Sequence, residues 1–462
     1  MYDIIIIGAG TAGISAYKEA VKYTQNILIM NDGPWDTTCA RVGCMPSKVL
    51  ISSANRFHDL THLEEVGLKA HIEKEIDTSN VMSHVRQLRD EFTAATLKDV
   101  NHWPKQHKIS GKAVFIHPDT VQINDQQYQA RSFILAVGST PSVPVEIKQR
   151  LKDRLITSDD IFELPTLPES VAVIGSGVIA IELAQAMSRL GVKTTIFARS
   201  KRIGTLTSPA LQELAQQILS AELDIKFEIL PDDMSLDQNK VKVSYTENGK
   251  KRTQHFDYLL HATGRDSLLS TLNLEQISSQ FSDVKKLPID PDTKQLANLS
   301  IFIAGDAHTT TPVQHEAAYE GKMLVHNCLN FPKIENIKKL TPLGIVFCSP
   351  EMAIAGKSYK QLKKHDIDFI TGYVSYEKQG RAKVLGKNKG ATEIYIDPKS
   401  RQLLGAEILV EQGEHLAHLL AWMISEQSTI DTILNHPFYH PTLEEGLRTA
   451  LKHARRQIDQ IV

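Results

Sequence analysis

From Tyr2 to Ile7 the chain reads Tyr-Asp-Ile-Ile-Ile-Ile. This β-branched run without polar alternation predicts a strand buried on both faces of a parallel sheet. Gly8-Ala9-Gly10-Thr11-Ala12-Gly13 follows at once, and a helical pattern then runs to Ala20. Ile27–Met30 reads as the next strand. The same order returns later. Ser170–Ile174 predicts a strand, Gly175-Ser176-Gly177-Val178-Ile179-Ala180 a turn, and a helix extends to Leu190 with Gly191 placed to cap it. Thr194–Phe197 is then a further strand. Strand, glycine turn and helix in this order let the backbone approach a pyrophosphate that rests on the helix N-terminus. Two such units predict two bound dinucleotides.

The strand Ile27–Met30 ends at Asn31-Asp32, either of which can accept a hydrogen bond from a ribose hydroxyl. Two further apolar strands end in glycine, one at Gly138 and one at Gly264, and both read as crossings between domains. A third, Ser300–Ala307, carries Gly305-Asp306, where the carboxylate can accept from a ribityl or ribose hydroxyl. After Asn330-Phe331-Pro332 the character changes. Strand patterns at Thr371–Tyr376 and Thr392–Ile396 precede helices, with no glycine fingerprint. The expected fold is therefore α/β, with two Rossmann-like dinucleotide-binding domains and a C-terminal α+β domain.

A chain of 462 residues suggests two to four domains, and a net charge of −2 gives no case for nucleic acid. No apolar run approaches the roughly twenty residues a membrane helix needs. Met1 leads directly into a strand, with no leader, and there are only four cysteines. These features lead us to expect a cytoplasmic protein, in which a close cysteine pair is more often catalytic than structural.

That pair is Cys39 and Cys44, in Thr38-Cys39-Ala40-Arg41-Val42-Gly43-Cys44-Met45-Pro46-Ser47-Lys48. Two thiols able to close a disulfide near a bound cofactor can accept and pass on two electrons. Cys328 and Cys348 read as buried and inert. In the second unit the strand end reads Phe197-Ala198-Arg199-Ser200-Lys201-Arg202, without an acid. An acid there would repel a 2′-phosphate, whereas Arg199 can pair with one, so NADP is favoured over NAD.

Together these residues resemble the class I pyridine nucleotide–disulfide oxidoreductases over essentially the whole chain. Within them, Met-Pro-Ser-Lys after the second cysteine is most like dihydrolipoamide dehydrogenase. The resemblance implies an FAD-binding domain (1–145 and 267–335), an NAD(P)-binding domain (146–266) and a dimerisation domain (340–462). It also implies a homodimer with shared active sites. FAD would be held by Gly8, Gly10, Thr11, Ala12, Gly13, Asn31, Thr38, Lys48, Gly138, Gly305 and Asp306. NAD or NADP would be held by Gly175, Gly177, Ala180, Arg199 and Gly264. Cys44 is implied as the flavin-side thiol, Cys39 as the interchange thiol, and Lys48 with Glu182 as a flavin-side ion pair. His440-Pro441-Thr442-Leu443-Glu444-Glu445 matches the family's H-P-T-x-x-E and implies His440 as acid/base, oriented by Glu445.

The chain departs from the family at Arg41, where Asn is usual, and at Asp36-Thr37, where a glycine pair is common. Mercuric and high-molecular-weight thioredoxin reductases need a further C-terminal redox pair, and no cysteine follows Cys348. Soluble transhydrogenases lack the cysteine pair. With no lipoyl domain before Met1, the chain is expected to be the oxidoreductase component alone. The expected activity is transfer of electrons between NAD(P)(H), FAD, the Cys39–Cys44 disulfide and a small or carrier-bound dithiol. One alternative is an NADPH-dependent reductase of another disulfide or a quinone. A non-turnover flavin redox sensor or interaction protein is an alternative of another class. No metal, nucleic acid or membrane partner is expected.

Overall fold

The computed structural model describes residues 1–70, 76–308 and 313–460. They form two compact units, one of residues 1–46, 85–142 and 264–339, the other of 47–84, 143–263 and 340–462.

In the first unit Tyr2–Ile7 is the central strand of a parallel set. It pairs with Ile27–Asn31 on one side, Ile4 opposite Ile27, and with Gln126–Leu135 on the other, Ile5 opposite Phe133. Ile301–Ile303 continues the set beyond Gln126–Leu135, and Lys108–Ser110 beyond Ile27–Asn31. Alternate residues feed two cores. Ile4, Ile6, Ile27, Ile29 and Phe302 face Ala16 and Tyr17 of the helix Thr11–Ala20 and Leu324 of Gln314–Asn330. Ile5, Ile7, Leu28, Phe133 and Ile303 pack with Phe115, Leu269 and Phe281 on the other face. Burial on both faces explains the unbroken apolar run, and each fully buried isoleucine contributes about 1.5–3 kcal/mol. The two glycine-ended segments run side by side as an antiparallel pair, Ser139–Pro141 against Arg265–Ser267.

The second unit holds a five-stranded parallel sheet in the order Asp224–Phe227, Lys193–Ala198, Ser170–Ile174, Tyr258–His261, Leu155–Ile156. The helix Val178–Arg189 follows its central strand. Three antiparallel strands between Asp233 and Phe256 form a separate ribbon. The C-terminal sheet is antiparallel, in the order Leu343–Val346, Glu351–Gly356, Leu403–Val410, Ala391–Ile396, Ile370–Ser375. Helices Gly413–Ser425, Ile430–Leu434 and Glu445–Asp459 bury Leu416, Leu420, Ile433, Leu447 and Leu451 against its apolar side chains. The buried Glu407 carboxylate ties this sheet to the parallel one. It accepts from the backbone N–H groups of Thr207, Ser208 and Tyr359 at 2.6–2.9 Å.

Candidate active site

Each glycine turn is shaped by close backbone approach on one side and openness on the other. Gly8 has φ +105°, and a Cβ there would lie 2.3 Å from Ala136 O; a Cβ on Gly13 would lie 1.8 Å from Gly8 O. Gly10 has nothing within 4 Å of its Cβ position. It precedes the helix Thr11–Ala20, whose N-terminus has no side-chain cap. The second turn repeats this. A Cβ on Gly175 would meet Ala262 O at 2.5 Å, and Gly177 opens onto space at the start of Val178–Arg189. Ala180, at the third glycine position, is fully buried. An uncapped helix start behind an open glycine fits a pyrophosphate in both places.

Around the first turn, Asn31 is hydrogen-bonded to the glycine loop and to the backbone beyond it. Its Oδ1 accepts from Ala9 N at 2.9 Å, and its Nδ2 donates to Gly33 O and Pro34 O. The carboxamide thus braces the glycine loop, and Asp32 is exposed beside it at this strand end. Gly305 donates its N–H to Glu320. Burial pushes the neighbouring Asp306 carboxyl above its ordinary range; Arg265 opposes this and Glu320 adds to it. A half-buried acceptor of this kind fits a sugar hydroxyl. Gly138 and Gly264 both have positive φ and open Cβ positions. Arg199, Ser200, Lys201 and Arg202 are all exposed, and the Ser176 hydroxyl donates to Arg202 O at 2.7 Å, tying this basic segment to the second glycine turn.

The cysteine loop is built tightly. Thr37 caps the short helix Thr38–Arg41, its hydroxyl accepting from Ala40 N, and Thr38 O accepts from Val42 N. Cys39 is half-buried within this helix, and Cys44 is exposed at the start of the helix Cys44–Thr61. Gly43 lets the chain fold back, since its Cβ position lies only 3.1 Å from Cys39 Cα. Arg41 Nε donates to Asp36 Oδ1 at 2.8 Å, so the two departures from the family pattern form one ion pair. Cys328 and Cys348 are buried, which raises both thiols far above the ordinary range.

One turn after Cys44, Lys48 meets Glu182. Lys48 Nζ lies 2.7 Å from Glu182 Oε2 and over the Phe347 ring at 4.7 Å from its centroid. Phe347 N donates to Glu182 Oε1 at 2.8 Å. The contact extends along both helices. Seven residues on from each partner, Arg189 Nη1 donates to Asn55 Oδ1 at 2.6 Å while its Nε and Nη2 hold Glu222. Between them Gln185 exchanges two hydrogen bonds with the Ser349 backbone. Asn55, Gln185 and Arg189 escaped the sequence reading. The visible signal was polar residues three and seven positions after Glu182 on an otherwise apolar helix. Nearby, burial pushes Glu351 up to about 8, against the Glu414 N–H that its carboxylate accepts.

His440 and Glu445 come together at the start of the helix Glu445–Asp459. His440 Nδ1 is 3.1 Å from both carboxylate oxygens, and Thr442 N donates to Oε2. These bonds, His440 first, lower the Glu445 pKa.

Residues 2–328 match the family described as pyridine nucleotide-disulphide oxidoreductase, and residues 343–451 match its dimerisation domain. The chain belongs to this family. Pyridine nucleotide-disulphide oxidoreductases are flavoprotein enzymes that use FAD and NAD(P)H, and the dimerisation domain supports a homodimer. Among relatives, the dihydrolipoyl dehydrogenase of Mycoplasma genitalium is 26% identical, with 98% of each chain covered. The mercuric reductase of Staphylococcus aureus is 27% identical over 97% of this chain and 82% of its own. Two solved structures share the oxidoreductase fold. LpdA of Mycobacterium tuberculosis has a TM-score of 0.82 at 19% identity, covering 98% of this chain and 99% of its own. The HOCl-induced flavoprotein disulfide reductase RclA of Escherichia coli has a TM-score of 0.81 at 18% identity, with the same coverage. No described helix is long and apolar enough to cross a membrane.

Proposed function

We propose that this oxidoreductase interconverts a small or carrier-bound dithiol and its disulfide through Cys39 and Cys44, most like a dihydrolipoamide dehydrogenase. The observation that carries the reading is the close approach of Gly43 to Cys39, which folds Cys44 back toward its partner within one capped turn. When bound, FAD and the nicotinamide supply the hydride and two-electron chemistry. Cys39 is assigned as the interchange thiol. An incoming dithiol attacks Cys39 Sγ, the Cys39–Cys44 bond breaks, and the substrate's sulfurs join as the cysteines gain two electrons and two protons; in reverse, the Cys39 thiolate attacks a substrate disulfide, whose S–S bond breaks as the Cys39–Cys44 bond re-forms. His440 takes the proton from the attacking thiol and returns it in the reverse direction, held in one orientation by Glu445. Following the family's arrangement, it serves the cysteine pair of the second subunit. Lys48, paired with Glu182, is assigned to the flavin side, where its charge stabilises the reduced cofactor. We assign the FAD-binding domain to 1–145 and 267–335, the NAD(P)-binding domain to 146–266 and the dimerisation domain to 340–462.

A second reading, an NADPH-dependent reductase of a different disulfide, is favoured by the acid-free exposed segment Arg199–Arg202. A charge-assisted contact to a 2′-phosphate is worth roughly 1.5–3 kcal/mol, or about ten- to a hundredfold in preference. Both readings are tested by steady-state kcat/KM for dihydrolipoamide, lipoamide, glutathione disulfide, a quinone and Hg(II), each with NAD(H) and NADP(H). Fast turnover of the lipoyl pair supports the first reading, and its absence beside turnover of another disulfide supports the second. An NAD preference that survives Arg199→Ala rejects the phosphate-site assignment.

A further inference from the structure

We infer that Asp36 and Arg41 are positioning residues that brace the reduced cysteine loop and thereby set the stability of the Cys39–Cys44 disulfide. The inference rests on the reading of these cysteines as a redox couple. The two residues straddle Cys39 in sequence and close on each other at 2.8 Å. The Asp36 side chain is only 7% exposed, against 36% for Arg41, so the carboxylate is withdrawn from water and depends on its partner. An unpaired buried carboxylate is strongly disfavoured, which keeps the bridge closed. Thr37 adds its cap to Ala40 N, and Gly43 lies against Cys39. Residues 36–43 are thus tied at three points that do not need the disulfide.

The consequence follows from chain entropy. In the oxidised state the Sγ–Sγ bond itself adds a tie to the loop, whereas in the dithiol state the Asp36–Arg41 pair and the Thr37 cap restrict it without that bond. Restricting the open loop leaves less freedom to lose on closure, which raises the effective concentration of one thiol for the other and favours the disulfide. A different action is conceivable for the same residues, since a bare guanidinium would favour thiolates by Coulomb attraction. With Asp36 bound to it, Arg41 is half of a neutral pair, and its field is largely cancelled. Bracing and field agree at Asp36 and predict opposite shifts at Arg41. Losing either residue breaks the brace, so both losses weaken the disulfide. If field dominated, losing Asp36 would expose the positive charge and favour the dithiol, whereas losing Arg41 would favour the disulfide.

The test equilibrates FAD-bound wild type, Asp36→Asn, Arg41→Gln and the double variant anaerobically with reduced and oxidised dithiothreitol. Reduction breaks the cysteine Sγ–Sγ bond and moves two electrons and two protons from dithiothreitol, which closes its own disulfide. After acid quench, denaturation and alkylation, intact mass separates chains carrying two adducts from chains carrying four. Each single variant is expected to lower the disulfide-to-dithiol equilibrium three- to tenfold, equivalent to about 14–30 mV at 29.6 mV per tenfold. The double variant should shift no further than the singles. Opposite shifts in the two singles, or none in either, overturn the brace. A wild-type protein that never interconverts between two and four adducts overturns the redox-couple reading itself.

Discussion

Lys48–Glu182 and His440–Glu445 each join a basic side chain to a carboxylate that also accepts a backbone N–H, yet they sit in opposite surroundings. The side chains are 31% and 5% exposed in the first and 81% and 28% in the second. Water screens the second pair, so its mutual attraction adds little to stability. It leaves the His440 imidazole accessible, as the acid/base role proposed for it requires. In the first pair, removing one partner strands the other in a low-dielectric setting, which costs about 3–5 kcal/mol. Similar hydrogen bonding thus leaves an exposed imidazole in one place and a largely enclosed ion pair in the other.

The largest expected effect breaks the comparison on the side of chemistry. His440→Gln should lower dithiol turnover by about 10²- to 10⁴-fold, the usual scale for loss of an acid/base group. Its melting temperature should stay close to wild type, as for most surface substitutions. A large drop in thermal stability with little loss of turnover would reverse the roles of the two pairs. At the buried pair Glu182→Ala should act on stability as well, lowering unfolding free energy by about 3–5 kcal/mol in a denaturant titration. A loss below about 1 kcal/mol would mean that Lys48 is solvated after all.

A smaller effect sharpens the picture of the buried side. Glu351 ionises near 8 in the folded protein, against an ordinary value of 4.5, because burial disfavours its charge. Between these values the native state holds a proton that the unfolded chain has released, so stability falls as pH rises from 4.5 to about 8 and levels off above. One proton limits the slope to about 1.4 kcal/mol per pH unit. Glu351→Gln should flatten this part of the stability–pH curve; an unchanged slope would assign it to other groups.

Legibility followed the range of the interactions. The run Ile4–Ile7, the two glycine turns and the cysteine loop declare themselves because each is a local pattern with a local physical cause. In the C-terminal sheet, Ala391–Ile396 and Leu403–Val410 are buried almost throughout. Burial on both faces erases the alternation that marks a half-exposed strand, and Leu403–Val410 went unread. Lys48 and Glu182 lie 134 residues apart, so only resemblance could pair them. Arg189 and Asn55 had no such guide. Asn31 was read by its place at a strand end, but the nearby Ala9 N–H and the carbonyls of Gly33 and Pro34 claimed its carboxamide. Asp36 and Arg41 stand out in the sequence as separate departures, and the fold joins them.

The central claim is that Cys39 and Cys44 form one two-electron couple, and counting thiols during reduction tests it most directly. The FAD-bound wild-type protein, reduced anaerobically with NADPH or dihydrolipoamide, should gain two alkylatable thiols per chain. Cys39→Ser and Cys44→Ser should each gain none while keeping FAD, because the glycine turn assigned to the cofactor does not involve the thiols. A gain of two thiols in either variant, or no gain in a wild-type protein that retains FAD, would contradict the account.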